Sequence, residues 1–126
     1  MPDKKTILVV EDEQALQEAL KLKLGKAGFE VFTASSGEEA LNVLKTLRPT
    51  LISLDLLLPK MNGLEVLRKI RENPELANLP VVVVSVSGGS EKLKQAFGFN
   101  VVDYLIKSEY TIENVVERLE EILKGL

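Results

Sequence analysis

Ile7-Leu8-Val9-Val10-Glu11-Asp12-Glu13 passes from four aliphatic residues into three acids, and a stripe at Ala15, Leu16, Ala19, Leu20 and Leu24 follows. A short β-prone run succeeded by apolar residues three and four apart is a strand turning into an amphipathic helix. The alternation recurs along the chain. Further runs stand at Glu30-Val31-Phe32-Thr33-Ala34, Leu51-Ile52-Ser53-Leu54, Val81-Val82-Val83-Val84 and Val101-Val102-Asp103-Tyr104-Leu105-Ile106. Segments with helical spacing lie between and after them, the last marked by Val115, Leu119, Ile122 and Leu126.

Strands that alternate with helices lie parallel, with helices on both faces of the sheet. The first and fourth runs are apolar without a break, as strands covered on both sides are. The second and fifth carry Glu30, Thr33 and Asp103, which suits the edges. Right-handed crossovers then predict an α/β, flavodoxin-like doubly wound five-stranded parallel sheet of order 2-1-3-4-5 with five helices. Local signals mark the helix ends. Ser36-Gly37-Glu38-Glu39 has the form of a capping box, Asn62 and Thr111 are N-cap candidates, and Asn73-Pro74 closes the third helix.

The 126 residues fit one domain, with roughly two-thirds of the unfolded surface available for burial. No linker, repeat or low-complexity tract divides residues 1–126. The formal charge is −3 and no Lys/Arg block stands out, which argues against direct binding to nucleic acid or an anionic membrane. The absence of cysteine excludes disulfides and thiolate chemistry; the absence of histidine excludes serine–histidine triads. The apolar run after Met1-Pro2-Asp3-Lys4-Lys5-Thr6 is too short for a signal peptide or membrane helix, so a cytoplasmic location is expected.

Sites in open α/β sheets form at the carboxyl ends of the strands. Those ends carry Glu11 and Asp12, then Asp55, then Ser85, then Lys107; the second strand contributes only Ser35 and Ser36, which capping explains. Taken singly, each has a plain structural explanation, such as acids at the positive end of a helix. Together they are restrictive. Converging carboxylates repel unless a cation intervenes, and Mg²⁺ favours a few carboxylates plus water and phosphate oxygens. A hydroxyl and an ammonium suit the oxygens of a phosphoryl group bonded to one of the acids.

The motifs that carry a family resemblance are Ile7-Leu8-Val9-Val10-Glu11-Asp12-Glu13, Asp55-Leu56-Leu57-Leu58-Pro59-Lys60-Met61-Asn62-Gly63, Leu79-Pro80-Val81-Val82-Val83-Val84-Ser85 and Asp103-Tyr104-Leu105-Ile106-Lys107. In this order, over essentially the whole chain, they resemble the receiver domain of two-component response regulators, of the single-domain chemotaxis type without an output domain. The resemblance implies that Asp55 accepts a phosphoryl group from the phosphohistidine of a sensor histidine kinase or phosphotransfer protein. Asp12, Asp55 and the backbone carbonyl of Leu57 would bind Mg²⁺, with Glu11 acting mostly through water. Ser85 and Lys107 would hold phosphoryl oxygens, and Ser85 with Tyr104 would form the switch. The domain would catalyse only its own phosphorylation and slow dephosphorylation. A downstream protein would meet the face of the fourth helix, fifth strand and fifth helix, with the chain a monomer or weak dimer.

Four positions bear on rates. Val86 follows Ser85 where the family has alanine or glycine, and its branched side chain is expected to narrow the approach to Asp55. Ser108 replaces a proline after Lys107, where a cis bond would cost about 3 kcal/mol more than trans. Leu57 and Ser87 occupy positions that tune hydrolysis of the aspartyl phosphate in the family. Leucine cannot orient water by hydrogen bonding, which predicts a long-lived phosphoryl state.

Rival readings fit less well. A haloacid-dehalogenase-type phosphatase needs a second aspartate where Leu57 stands. A flavodoxin-like electron carrier needs a phosphate loop where Glu11-Asp12-Glu13 would repel the phosphate. The remaining alternative is a receiver-fold interaction module that works without phosphorylation.

Overall fold

The structure, a computed structural model, describes residues 4–86 and 90–126, residue 90 by its backbone only. Five strands alternate with five helices: β1 (Thr6–Val10), α1 (Gln14–Lys26), β2 (Glu30–Ala34), α2 (Gly37–Val43), β3 (Leu51–Leu54), α3 (Gly63–Glu72), β4 (Val81–Ser85), α4 (Ser90–Gly98), β5 (Asp103–Ile106) and α5 (Ile112–Lys124). A single 3₁₀ turn, Lys107–Glu109, joins β5 to α5. The strands form one parallel sheet of order β2-β1-β3-β4-β5, the predicted order, with β2 and β5 at the edges.

Strand alternation divides the core into two layers. Leu8, Val10, Ile52, Leu54, Val81 and Val83 face Ala40, Leu44, Val66, Leu67 and Ile70 of the α2–α3 side. Ile7, Val9, Leu51, Val82, Val84 and Leu105 face Leu20 and Leu24 of α1 and Val115, Leu119 and Leu123 of α5. Successive residues point to opposite faces and both faces are covered, so β1, β3 and β4 had to be apolar throughout. Each of those large aliphatics stabilises the fold by about 1.5–3 kcal/mol through burial alone.

The predicted caps form. Asn62 Oδ1 accepts from Glu65 N at 3.0 Å and Thr111 Oγ1 from Asn114 N at 3.1 Å. Ser36 Oγ accepts from Glu39 N at 3.1 Å, but Glu39 Oε1 accepts from Ser35 N rather than Ser36 N, so the box closes one residue early. Each cap is worth about 1 kcal/mol. Asn73 adopts an extended conformation ahead of Pro74 and ends α3 as expected.

Three local expectations need correction. The last strand begins at Asp103, not Val101: the ladder starts at the Val82–Asp103 pair, and Val102 turns its side chain to solvent. Leu126 lies beyond α5 and is exposed; Val116 and Leu123 join the buried stripe in its place. Ala15 is exposed on α1, and the buried residue of that turn is Gln17. Among the described residues, no helix is long and apolar enough to cross a membrane.

Candidate functional site

The register of the sheet brings the chemical residues together. Val10 pairs with Leu54, and Asp55 N donates to Val10 O at 3.0 Å, so the acids that follow β1 and β3 emerge side by side. Ser85 pairs with Ile106, which sets Lys107 beside the end of β4. Glu11 and Asp55 are nearly fully buried, Asp12 is exposed, and carboxylate oxygens of all three lie within 4.8 Å of one another. Lys107 Nζ donates to Glu11 Oε1 at 2.7 Å and to Asp55 Oδ2 at 3.1 Å. The structure thus brings Glu11, Asp12, Asp55 and Lys107 into one pocket, with Ser85 buried at its strand end.

Backbone donors orient both buried acids. Asp55 Oδ1 accepts from Leu57 N at 3.0 Å, and Glu11 Oε2 from Glu13 N at 3.1 Å. The Leu57 side chain itself points to solvent. The loop that carries Asp55 is closed by Gly63, whose N–H donates to Leu56 O at 2.8 Å. A Cβ on Gly63 would collide with the Asp55 carbonyl oxygen and lie 2.5 Å from Leu56 Cα. That approach, more than flexibility, is why the motif begun at Asp55 ends in glycine, for Gly63 starts α3 directly on the acceptor loop.

Electrostatics follow from burial. Desolvation raises the Glu11 carboxyl above its ordinary value, and the Lys107 hydrogen bond only partly offsets this. Burial works to lower the Lys107 ammonium, but its bond to Glu11 and the Asp55 charge prevail and hold it above the ordinary lysine value. Such a cluster is short of positive charge: among the described residues, one ammonium faces three carboxylates. Ser85 Oγ is fully buried and makes no hydrogen bond of ordinary geometry among the described residues. A buried hydroxyl without such a bond is costly, and here it stands at the edge of the acidic pocket. Oxygen donors in excess of cations and an unsatisfied hydroxyl are what a divalent cation and an anionic oxygen would complete, so the residues fit such a group.

Tyr104 is buried beside this pocket. Desolvation raises its phenol, the Ser85 hydroxyl counteracts, and the Asp55 charge reinforces the rise. Alkaline spectrophotometric titration is therefore expected to show a phenol ionising above 10.0, and Tyr104→Phe to remove that component. The folded value is the higher one, so the linked stability is complete below the ordinary value and is lost as pH rises through the folded one. Ionisation of Tyr104 at or below the ordinary value would contradict this.

The rate-related positions are placed as follows. Val86 is half-exposed and lines a groove of about 430 Å³ with Leu16, Tyr110 and Ile112 on the α1–α5 side of Lys107. Ser108 sits in the 3₁₀ turn, and no cis peptide bond occurs among the described residues. Ser87 lies outside the described residues. Two contributors escaped the sequence reading. Gln17 donates from α1 to the carbonyl of Glu11, and its signal was its place three and seven residues before Leu20 and Leu24. Glu13 contributes through its amide rather than its charge.

Comparison with known proteins agrees with this geometry. The family model described as the response regulator receiver domain matches residues 7–120. The phosphate regulon transcriptional regulatory protein PhoB of Rhizobium meliloti is 35% identical over 118 residues, 94% of this chain and 52% of that protein. The chain spans about half the length of the curated relatives it matches. Among solved structures, the phosphorylated cyanobacterial phytochrome response regulator RcpA is 34% identical with a TM-score of 0.79, covering 98% of this chain and 91% of that one. The Mn²⁺-bound form of response regulator Rcp1 is 32% identical with a TM-score of 0.78, covering 96% and 90%. The order of the strands, the acids, hydroxyl and lysine at their ends, and these likenesses have one meaning: the chain belongs to the response regulator receiver domain family.

Proposed function

We propose that Asp55 is the phosphoryl acceptor of a two-component relay, charged by the phosphohistidine of a sensor histidine kinase or phosphotransfer protein in the cytoplasm. The observation that carries this reading is the state of the Asp55 carboxylate. Its Oδ1 is held by the Leu57 amide and its Oδ2 by Lys107, beside two further acids. An oxygen of Asp55 attacks phosphorus in line, the P–N bond breaks, and the imidazole leaves with the electron pair. Lys107 and Ser85 then hold the phosphoryl oxygens. Asp12, Asp55 and the Leu57 carbonyl would ligate Mg²⁺, with Glu11 acting through water. Bound there, Mg²⁺ supplies charge neutralisation between the acids and the incoming phosphoryl group.

Lys107 must loosen its hold on Glu11 to serve the phosphoryl group, and the buried Ser85 hydroxyl gains an anionic partner. Those new charge-assisted bonds bias the Ser85–Tyr104 pair toward a second conformation, which a downstream protein senses at the α4–β5–α5 face. The chain acts on no separate substrate and catalyses only its own phosphorylation and slow dephosphorylation. Val115, Leu119 and Ile122 are spent in the core, which supports a monomer or weak dimer.

Incubation with acetyl phosphate and Mg²⁺ tests the reading through the intact mass. The native chain gains one phosphoryl group and Asp55→Ala gains none. An adduct that survives Asp55→Ala would contradict Asp55 as the acceptor, and none from either acetyl phosphate or a phosphorylated kinase favours the phosphorylation-independent module instead. The adduct is also expected to be long-lived, because the exposed Leu57 side chain offers a hydrolytic water no hydrogen bond. Leu57→Asn should shorten its lifetime roughly tenfold, the rate equivalent of one added hydrogen bond of about 1.4 kcal/mol; an equal lifetime in both chains would contradict this.

A further inference from the structure

The loop that carries Glu11 and Asp12 lacks the usual device for starting a helix. Glu13 stands at the N-cap of α1 in extended conformation, and its side chain caps nothing. The turn is fixed from inside the helix by Gln17, which is 7% exposed. Its Nε2 lies 2.9 Å from Glu11 O, 3.1 Å from Ser35 Oγ and 3.3 Å from Ala34 O. Two protons thus serve three acceptors, all at the carboxyl ends of β1 and β2. A buried amide persists where it is hydrogen-bonded, since an unpaired one costs about 1–3 kcal/mol.

Glu11 N donates to the same Ala34 O at 3.0 Å. The Glu11 main chain is therefore pinned at both its N–H and its carbonyl, and the Asp12 peptide begins at the carbonyl that Gln17 holds. Packing alone does not ask for an amide here: the position shares its stripe with Leu20 and Leu24, where an apolar side chain would serve. What the amide adds is orientation of the two peptides from which the acids project.

We propose that Gln17 is the positioning residue of the acidic cluster, fixing the Glu11–Asp12 main chain so that both carboxylates converge with Asp55 on a divalent cation. This role rests on the reading of the cluster as a cation site. Residues that orient metal ligands typically change affinity 10–100-fold when replaced. A residue with a merely structural role would lower the melting temperature and leave the affinity of the folded chain unchanged.

The test is calorimetric titration of the full chain with Mg²⁺ alone, with thermal unfolding of each metal-free variant measured alongside. Gln17→Met keeps the size and removes the donors; its Kd for Mg²⁺ is expected to rise about tenfold or more. Gln17→Arg restores donors toward the carbonyls and is expected to regain most of the affinity. If the Met variant does not fold, Gln17→Asn, one methylene too short, takes its place and is expected to show the same weakening. A folded Met or Asn variant with native Kd would overturn the role of Gln17 alone. A native chain that takes up no Mg²⁺ would overturn the cation site itself, and the role of Gln17 with it.

Discussion

Gly63→Ala is expected to destabilise the chain by about 3 kcal/mol or more, the upper end of what overpacking costs. The methyl group would meet backbone on the side of the Asp55 carbonyl oxygen and Leu56 Cα, and backbone has no rotamer to change. Relief requires α3 to move away from the acceptor loop, or the loop to move away from α3. Either shift breaks the Gly63 N–Leu56 O bond and displaces the Leu57 amide that orients Asp55. Stability and phosphorylation should therefore fall together. Gly25→Ala is the control, since nothing lies within 4 Å of a Cβ there and the residue sits in α1. Alanine at that position should add up to about 1 kcal/mol. Urea unfolding midpoints at constant slope measure both. A Gly63→Ala chain as stable as the native one would mean that α3 does not seat on the acceptor loop.

Lys107→Met is expected to have the second-largest effect, and one that depends on metal. The ammonium is the only cation paired with Glu11 and Asp55 among the described residues, and both acids are nearly fully buried. Removing one partner from a buried ion pair costs about 3–5 kcal/mol because the charge left behind is uncompensated. Asp12 is exposed and water reaches the pocket mouth, so the lower end of that range is expected for the metal-free chain. Saturating Mg²⁺ would supply the missing charge. The methionine variant should therefore gain more thermal stability from Mg²⁺ than the native chain does, yet accept a phosphoryl group more slowly. Equal gains in the two chains would show that Lys107 is not the counter-ion of the acidic cluster.

What could be anticipated divides by distance along the chain. Strand–helix alternation is a local pattern, so five short runs and their breaks predicted a parallel sheet, and Glu30, Thr33 and Asp103 marked its edges. Helix caps are local too: Asn62 and Thr111 act within three residues of themselves. The site was legible as a set because the fold puts each strand end at one edge of the sheet. Its inner wiring was not. Lys107 reaches Glu11 across 96 positions of sequence, and nothing in either neighbourhood announces the pair. Helical periodicity counts apolar side chains and passes over Gln17, an amide that bonds inward. Gly63 was visible as a motif letter, but its necessity comes from the Asp55 and Leu56 backbone lying against it. Leu126 had the right period for the core and fails because α5 ends at Lys124 before reaching it.

The central claim concerns one atom group, the Asp55 carboxylate, and reductive trapping addresses it directly. Borohydride reduces an aspartyl phosphate to homoserine, which peptide mass spectrometry places in the sequence. After treatment of the native chain with acetyl phosphate and Mg²⁺, homoserine is predicted at position 55. Homoserine at Asp12 or another aspartate, or a phosphorylated chain that yields none, would contradict the account.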